Sequence, residues 1–387
     1  MLSHWKGNKM YTFKSFISES NYIIEATSVD DEALGHLTHV KDLPHEDARH
    51  SKMAVDLLRD FHNKRQGKPS SIGASLKTDG GASVHVIHDE HGVGVSDKHR
   101  MARGVVARTP EEVDKHFGHA PEYAESLKHV LKHAHEFVNK GHHIQGDLLH
   151  TPNEKPTEHG DKISTTPNRL TYHMKTKAPL GLAVHTEVKG GVARAVSKKA
   201  LKKTPHVFVP EHEYHADPNT YSAADKKATE THLNAAEALL RNHTSHHLTP
   251  EHVKAFTIYN NRSTARGETP TVEGYKKHLH DEGEKAANKL KTEAGKTKTR
   301  AAHAAMIAHV DQNAHHFQRS LDIRHHLEQA TEHVLKGVKH PDMETSLDGH
   351  PSQGEGIVLQ KEGRPVGKLV PKAITRAIIN NPRFGRG

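Results

Sequence analysis

Leu76-Lys77-Thr78-Asp79-Gly80 sits between two segments of strand-like texture, residues 71–76 and 82–87. A lysine held at a strand end beside a turn is a nucleophile only when deprotonated. Desolvation and neighbouring cations lower its pKa toward neutrality. The same tetrapeptide also suits an ordinary exposed β-turn, because short motifs recur by chance. Both readings stay open on these five residues alone.

The neighbouring sequence supplies the frame. Ser83-Val-His-Val-Ile87 and Val93-Gly-Val95 read as strands joined by the turn Asp89-Glu-His-Gly92. Thr109-Pro110-Glu111-Glu112 starts a helix: a capping threonine, proline at the first helical position, then acids at the positive end of the dipole. Tyr123, Leu127, Val130, Leu131, Ala134 and Val138 give an apolar helical face over residues 121–140, and Gly141 is the expected stop. Residues 143–149, 169–174 and 180–188 read as strands. Upstream, Met53, Leu57, Leu58 and Phe61 stand at helical spacing, and Arg65 to Ser71 is a loop by composition. Residues 222–338 are rich in Ala, Lys, Glu and His, with a second helix start at Thr249-Pro250-Glu251 and a closing amphipathic helix through Leu321, Leu327, Ala330 and Val334. Strand texture returns at residues 354–374 with a turn at Glu362-Gly363, and a basic tail ends the chain. The expected class is α+β with an antiparallel or mixed sheet and a large helical insertion.

Composition bounds the function. The 387 residues suffice for two ordinary domains, or for one large domain with an insertion. Lys plus Arg is 55 against 47 acids, a formal charge of +8, and 40 histidines stand ready to add charge on acidification. Anionic partners such as nucleic acid fit that balance. No apolar run approaches the roughly 20 residues that span a bilayer. With no cysteine, disulfide scaffolds, thiolate metal sites and cysteine nucleophiles are excluded.

Taken in order, these pieces resemble the covalent nucleotidyltransferase superfamily of ATP-dependent DNA and RNA ligases and mRNA capping enzymes. Lys77-Thr-Asp-Gly80 matches the nucleophile motif. The strand ending in Ser96-Asp97-Lys98 matches a motif that usually ends in Ser-Arg, so Lys98 replaces the arginine, with Arg100 and Arg103 as rivals. Gly146-Asp147-Leu148-Leu149 matches the acid-bearing strand. Glu355-Gly356-Ile357-Val358 matches the Glu-Gly motif, and Lys368-Leu369-Val370 the last motif, which usually carries two lysines one residue apart. Only the first is present, and Lys372 is the candidate second. No stacking aromatic stands in residues 180–188, where the family has one. The match covers residues 71–188 and 354–372.

The resemblance implies a ligase-type, ATP-grasp-like domain in two parts. Residues 46–190 form the first part and 346–387 the final strands and basic tail. Residues 191–345 are a mostly helical insertion, 1–45 an N-terminal leader or extension, and no C-terminal OB domain fits. It implies that Lys77 attacks the α-phosphorus of ATP and forms lysyl-AMP, which then passes to a 5′-phosphate end. Lys368 and Lys372 would neutralise the phosphate. Glu355 and Asp147 would organise Mg2+. Ser75 and Leu76 would line the adenine, with Asp79, Gly80 and Lys98 completing the nucleotide site. Gly81-Ala82-Ser83 stands where DNA ligases usually carry arginine, which favours RNA ligase over DNA ligase. The alternative is a catalytically degenerate member that binds nucleic acid or builds part of a virion. Capping-type guanylylation is a third option.

Two features lie outside that match. His129 and His133 stand four apart on one predicted helix face, as zinc ligands can, but such spacings are expected by chance with one residue in ten a histidine. Most histidines are expected on exposed helix faces. Residues 10–19, with Ile23-Ile24-Glu25 before Ala26, resemble the capsid-targeting leaders of T-even-like phages, and a frayed amphipathic helix is the plainer reading. That resemblance implies a protein packaged in the virion and released into the host cytoplasm.

Overall fold

The computed structural model describes residues 37–380 apart from 46–47, 155 and 242–247. The leader-like segment before residue 37 and the last residues of the basic tail lie outside the described residues. Described strands are β1 (Gly73–Leu76), β2 (Ser83–Asp89), β3 (Gly92–Ser96), β4 (His142–His150), β5 (Thr157–His159), β6 (Lys162–Thr165), β7 (Leu170–Met174), β8 (Leu180–Lys189), β9 (Val192–Arg194), β10 (Val207–Phe208), β11 (Met343–Leu347), β12 (His350–Ser352), β13 (Ile357–Lys361) and β14 (Arg364–Leu369). Helices are α1 (Ala48–Arg65), α2 (Lys98–Met101), α3 (Pro110–Phe117), α4 (Pro121–Phe137), α5 (Ala223–Leu240), α6 (Pro250–Arg266), α7 (Val272–Asn288), α8 (Glu293–Gln312), α9 (Ala314–Leu335) and α10 (Lys372–Ile379). The class is α+β.

The strands form three sheets, with orders β1-β13-β14, β10-β8-β4-β2-β3 with β9 beside β8, and β12-β11-β7-β6-β5. Their pairings are antiparallel except β8 with β10. The second sheet buries Val84, Val86, Ile144, Leu182 and Val184 against Val113, Phe117, Leu127, Val130 and Phe137 of α3 and α4. Alternation on β2 and β4 puts those residues on one face and the polar set His85, Gln145 and Asp147 on the other. Thr109 caps α3 as its sequence requires, its hydroxyl accepting from the Glu112 N–H at 3.2 Å. α4 ends at Phe137, ahead of Gly141, because the chain turns directly into β4.

The first sheet shares a core with the helices. Ala74, Leu76, Ile357, Leu359 and Leu369 pack with Leu58 and Phe61 of α1, Leu233 of α5, and Ile323, Leu327 and Val334 of α9. Each such side chain contributes about 1.5–3 kcal/mol by leaving water. α5 and α9 belong to the core beneath β1, and only α6, α7, α8 and the start of α9 close on a separate cluster around Phe256, Tyr275 and Phe317. Residues 191–222 hold β9, β10 and a short 3-10 helix at Pro218–Thr220. Residues 40–45 form a buried 3-10 helix whose Val40 and Leu43 join the same core.

Candidate active site

Register builds the site. β1 pairs antiparallel with β13, Leu76 opposite Ile357, and β13 with β14, Val358 opposite Lys368. One residue beyond β1, the Lys77 N–H donates to the Gly356 carbonyl at 2.9 Å. The turn after β1 therefore faces Glu355, although 278 residues separate the two in sequence. Lys77 Nζ lies 2.8 Å from Glu355 Oε2 and also pairs with the Asp79 carboxylate. The Lys77 side chain is 10 % exposed and that of Glu355 fully buried, which removes the exposed-turn reading of the tetrapeptide.

Both motif glycines are required by contact. A Cβ at Gly80 would stand 2.3 Å from the Leu148 carbonyl oxygen. At Gly356, where φ is +121°, it would stand 1.9 Å from the Leu369 carbonyl oxygen.

Glu355 is the hub. Its Oε2 meets Lys77 Nζ and accepts from the Asp79 N–H at 2.9 Å. Its Oε1 accepts from Asn168 Nδ2 at 3.1 Å and lies 2.6 Å from the Tyr172 hydroxyl. Asn168 and Tyr172 also bond the Asp79 carbonyl oxygen, at 2.9 and 2.8 Å, so β7 and the residues before it lock the turn. Burial pushes the Glu355 carboxyl up to about 7; the Lys77 charge opposes the shift and the Asp79 charge adds to it. Burial works against the Lys77 ammonium, but Asp79 and Glu355 more than offset it and hold the group above its ordinary value. Lys368 is displaced downward, first by burial and then by the charge of Lys77.

The other expected residues divide. Asp147 on β4 pairs with Ser83 and Ala183, and His185 Nε2 lies 3.7 Å from its Oδ1. Lys98 opens α2, its pKa lowered by burial with Asp147 opposing, so the two charges face each other. Its rival Arg100 is spent on Asp97 and covers the Phe117 ring, and Arg103 bonds the His99 carbonyl. Ser75 and Leu76 lie on β1, but that backbone is paired on both edges. Leu76 N–H donates to the His212 carbonyl at 2.8 Å, and Ser75 bridges Glu213. The cavity beside them, lined by Leu76, Thr78, Ala183, His185, Glu211 and His212, measures about 10 Å3. That is room for about one water.

Lys372 is not brought to Lys77. The chain leaves β14 through Pro371 and turns into α10, so the two-residue alternation is lost. Lys372 Nζ pairs instead with Glu328 at 3.1 Å. Glu328 also holds Lys41 at 2.7 Å, beside the buried pair Arg324–Asp42. The expected second-lysine role therefore has no support in this geometry.

Asn168, Tyr172, His185 and His39 join the site without having stood out in the sequence. His39 bridges Lys368 in parallel, and burial followed by the Lys368 charge holds its imidazole down at about 3. A buried tyrosine on an alternating strand looks like core, and nothing local marks it as a partner of Glu355.

The chain belongs to a family of unknown function (DUF6267), whose model matches residues 35–374. No curated protein and no solved structure matches it.

Proposed function

With membership of that family as the premise, we propose from the geometry around Lys77 that the chain is an ATP-dependent polynucleotide ligase acting preferentially on RNA. The observation that carries this reading is the meeting of Lys77, Asp79 and Glu355 at the adjoining ends of β1 and β13, with Lys368 on the next strand. In the reaction, Lys77 Nζ gives up a proton to solvent by way of the partly exposed Asp79 carboxylate, and its lone pair attacks the α-phosphorus of ATP. The bond to the pyrophosphate oxygen breaks, and pyrophosphate leaves with the electron pair. A 5′-phosphate oxygen then attacks the same phosphorus, and the N–P electron pair returns to Lys77. The 3′-hydroxyl finally displaces AMP and closes the phosphodiester.

This chain's residues define what that requires. At rest Lys77 is an ammonium clamped by two carboxylates, so its release from Asp79 precedes attack. Lys368 adds positive charge beside it, which favours loss of the proton and stabilises charge building on phosphate. Magnesium, when bound, would neutralise phosphate oxygens. The donor set does not fit it at Glu355, whose two oxygens already meet four donors.

Incubation with α-labelled ATP is expected to label the full chain covalently. Lys77→Ala abolishes the label and Lys368→Ala lowers it by at least tenfold, whereas Lys372→Ala leaves it within about twofold. Wild type that takes no label from ATP, GTP or NAD overturns the reading.

Two observations favour a second reading, a degenerate nucleotidyltransferase-type protein that binds nucleic acid or serves inside a virion. The cavity at Leu76 holds about one water, and the second lysine is spent on Glu328. Salt-sensitive RNA binding without lysine labelling selects it. Among the described residues no helix is long and apolar enough to cross a membrane. The host cytoplasm, with delivery from a virion, is the proposed place of action.

A further inference from the structure

We propose that His133, Glu136 and His206 form a binding site for a divalent cation of the zinc class. His133 and Glu136 stand one turn apart near the end of α4, and His206 comes from the segment before β10. One ligand atom from each lies within 4.8 Å of the others. His133 Nδ1 is 2.9 Å from Glu136 Oε1, and His206 Nδ1 is 2.6 Å from Glu136 Oε2. The two imidazole rings stack at 5.0 Å with 27° between their planes, so both converge on one carboxylate. Two nitrogens and one carboxylate oxygen make a three-ligand set that leaves a fourth tetrahedral position for water. The ligand atoms of such a site stand about 3.3 Å apart. Small side-chain shifts bring these three there.

The surroundings are built in the way a cation site needs. The Thr204 hydroxyl donates to Glu136 Oε2 at 2.8 Å, an outer partner that orients the carboxylate. The segment carrying His206 is pinned to the end of α4. Lys202 N–H donates to the Phe137 carbonyl at 2.8 Å, Asn139 N–H to Ala200 at 2.9 Å, and Lys202 Nζ to the His135 carbonyl at 3.0 Å. His206 is therefore held in place before any cation arrives. The His129–His133 pair suggested by spacing is not the set, since His129 is not part of the group.

A cation here would fasten the start of the segment that runs through β10 to residues 212–214, which lie on the edge of β1 beside Lys77. The site does not depend on the ligase reading.

Cobalt(II) titration of the full chain tests it. The expected result is one equivalent bound with tetrahedral visible absorption, displaced by zinc. His206→Ala, at an exposed position that leaves the fold intact, should weaken binding by well over tenfold. Thr204→Val should weaken it by about 10-fold, the usual cost of losing an outer partner. Cobalt bound equally by wild type and His206→Ala means that other histidines hold it, and that result overturns the proposal. A wild type giving no tetrahedral absorption at one equivalent overturns it as well.

Discussion

Glu355 has no solvent contact, and its donors come from the turn at Asp79, from the Lys77 side chain and from the residues around β7. Removing it leaves the Lys77 ammonium buried with only the partly exposed Asp79 as partner. Breaking one side of a buried pair costs about 3–5 kcal/mol. Glu355→Ala is therefore expected to lower stability by that amount in urea denaturation, well beyond any loss of a surface charge. Tyr172→Phe keeps the packing but removes a buried hydroxyl from both Glu355 and the Asp79 carbonyl, at about 1–3 kcal/mol. At this scale the sequence was informative where chemistry sits in short strings. Lys77, Asp79, Gly80, Glu355, Gly356 and Lys368 all stand within three such strings, and backbone pairing brings the strings together. Asn168 and Tyr172 were hidden because their role is set by the approach of a third sheet, which leaves no local pattern.

Elements were legible where periodicity and caps agree, as in α3, α6 and the β2–β3 and β13–β14 hairpins. They were not where a short apolar run followed a proline. Residues 372–379 carry too little polar alternation to separate a helix from a tail, and Ile374 packs under the third sheet. The turn Glu362-Gly363 has both residues at positive φ, +52° and +72°, the pattern of a type I′ hairpin turn. Glutamate tolerates that conformation poorly, whereas asparagine does so readily. Glu362→Asn is expected to raise stability by about 0.5–1 kcal/mol, read from the denaturation midpoint. The helices α7 and α8 bear on nucleic-acid contact. Lys276 pairs with Asp311, Lys277 with Asp281, and Arg300 with Glu284. Much of their positive charge is thus answered by neighbouring carboxylates, as on a solvated face.

At the scale of the whole molecule, a minority of the described histidines depart from the surface set that composition suggests. His45, His62, His85 and His252 are buried, and burial is the first cause holding them down to between about 3 and 4. The unfolded chain takes up protons at these positions below about pH 6.5, while the folded chain refuses them until near pH 4. Stability therefore falls as pH drops through that window, by up to about 1.4 kcal/mol per pH unit for each site. Circular dichroism should show the thermal midpoint declining steeply from pH 6.5 to 4.5; a flat midpoint across that range would contradict the buried, neutral imidazoles. The 278-residue separation of Lys77 and Glu355 bears on biosynthesis. At about 5–20 residues per second the ribosome needs roughly 14–56 s to deliver the second after the first. Residues 212–214 emerge partway through that interval and can pair with the strand before Lys77, so the nascent polypeptide carries an incomplete centre, and the Lys77 amine acquires its deepest counter-ion only once that distant acid has been made.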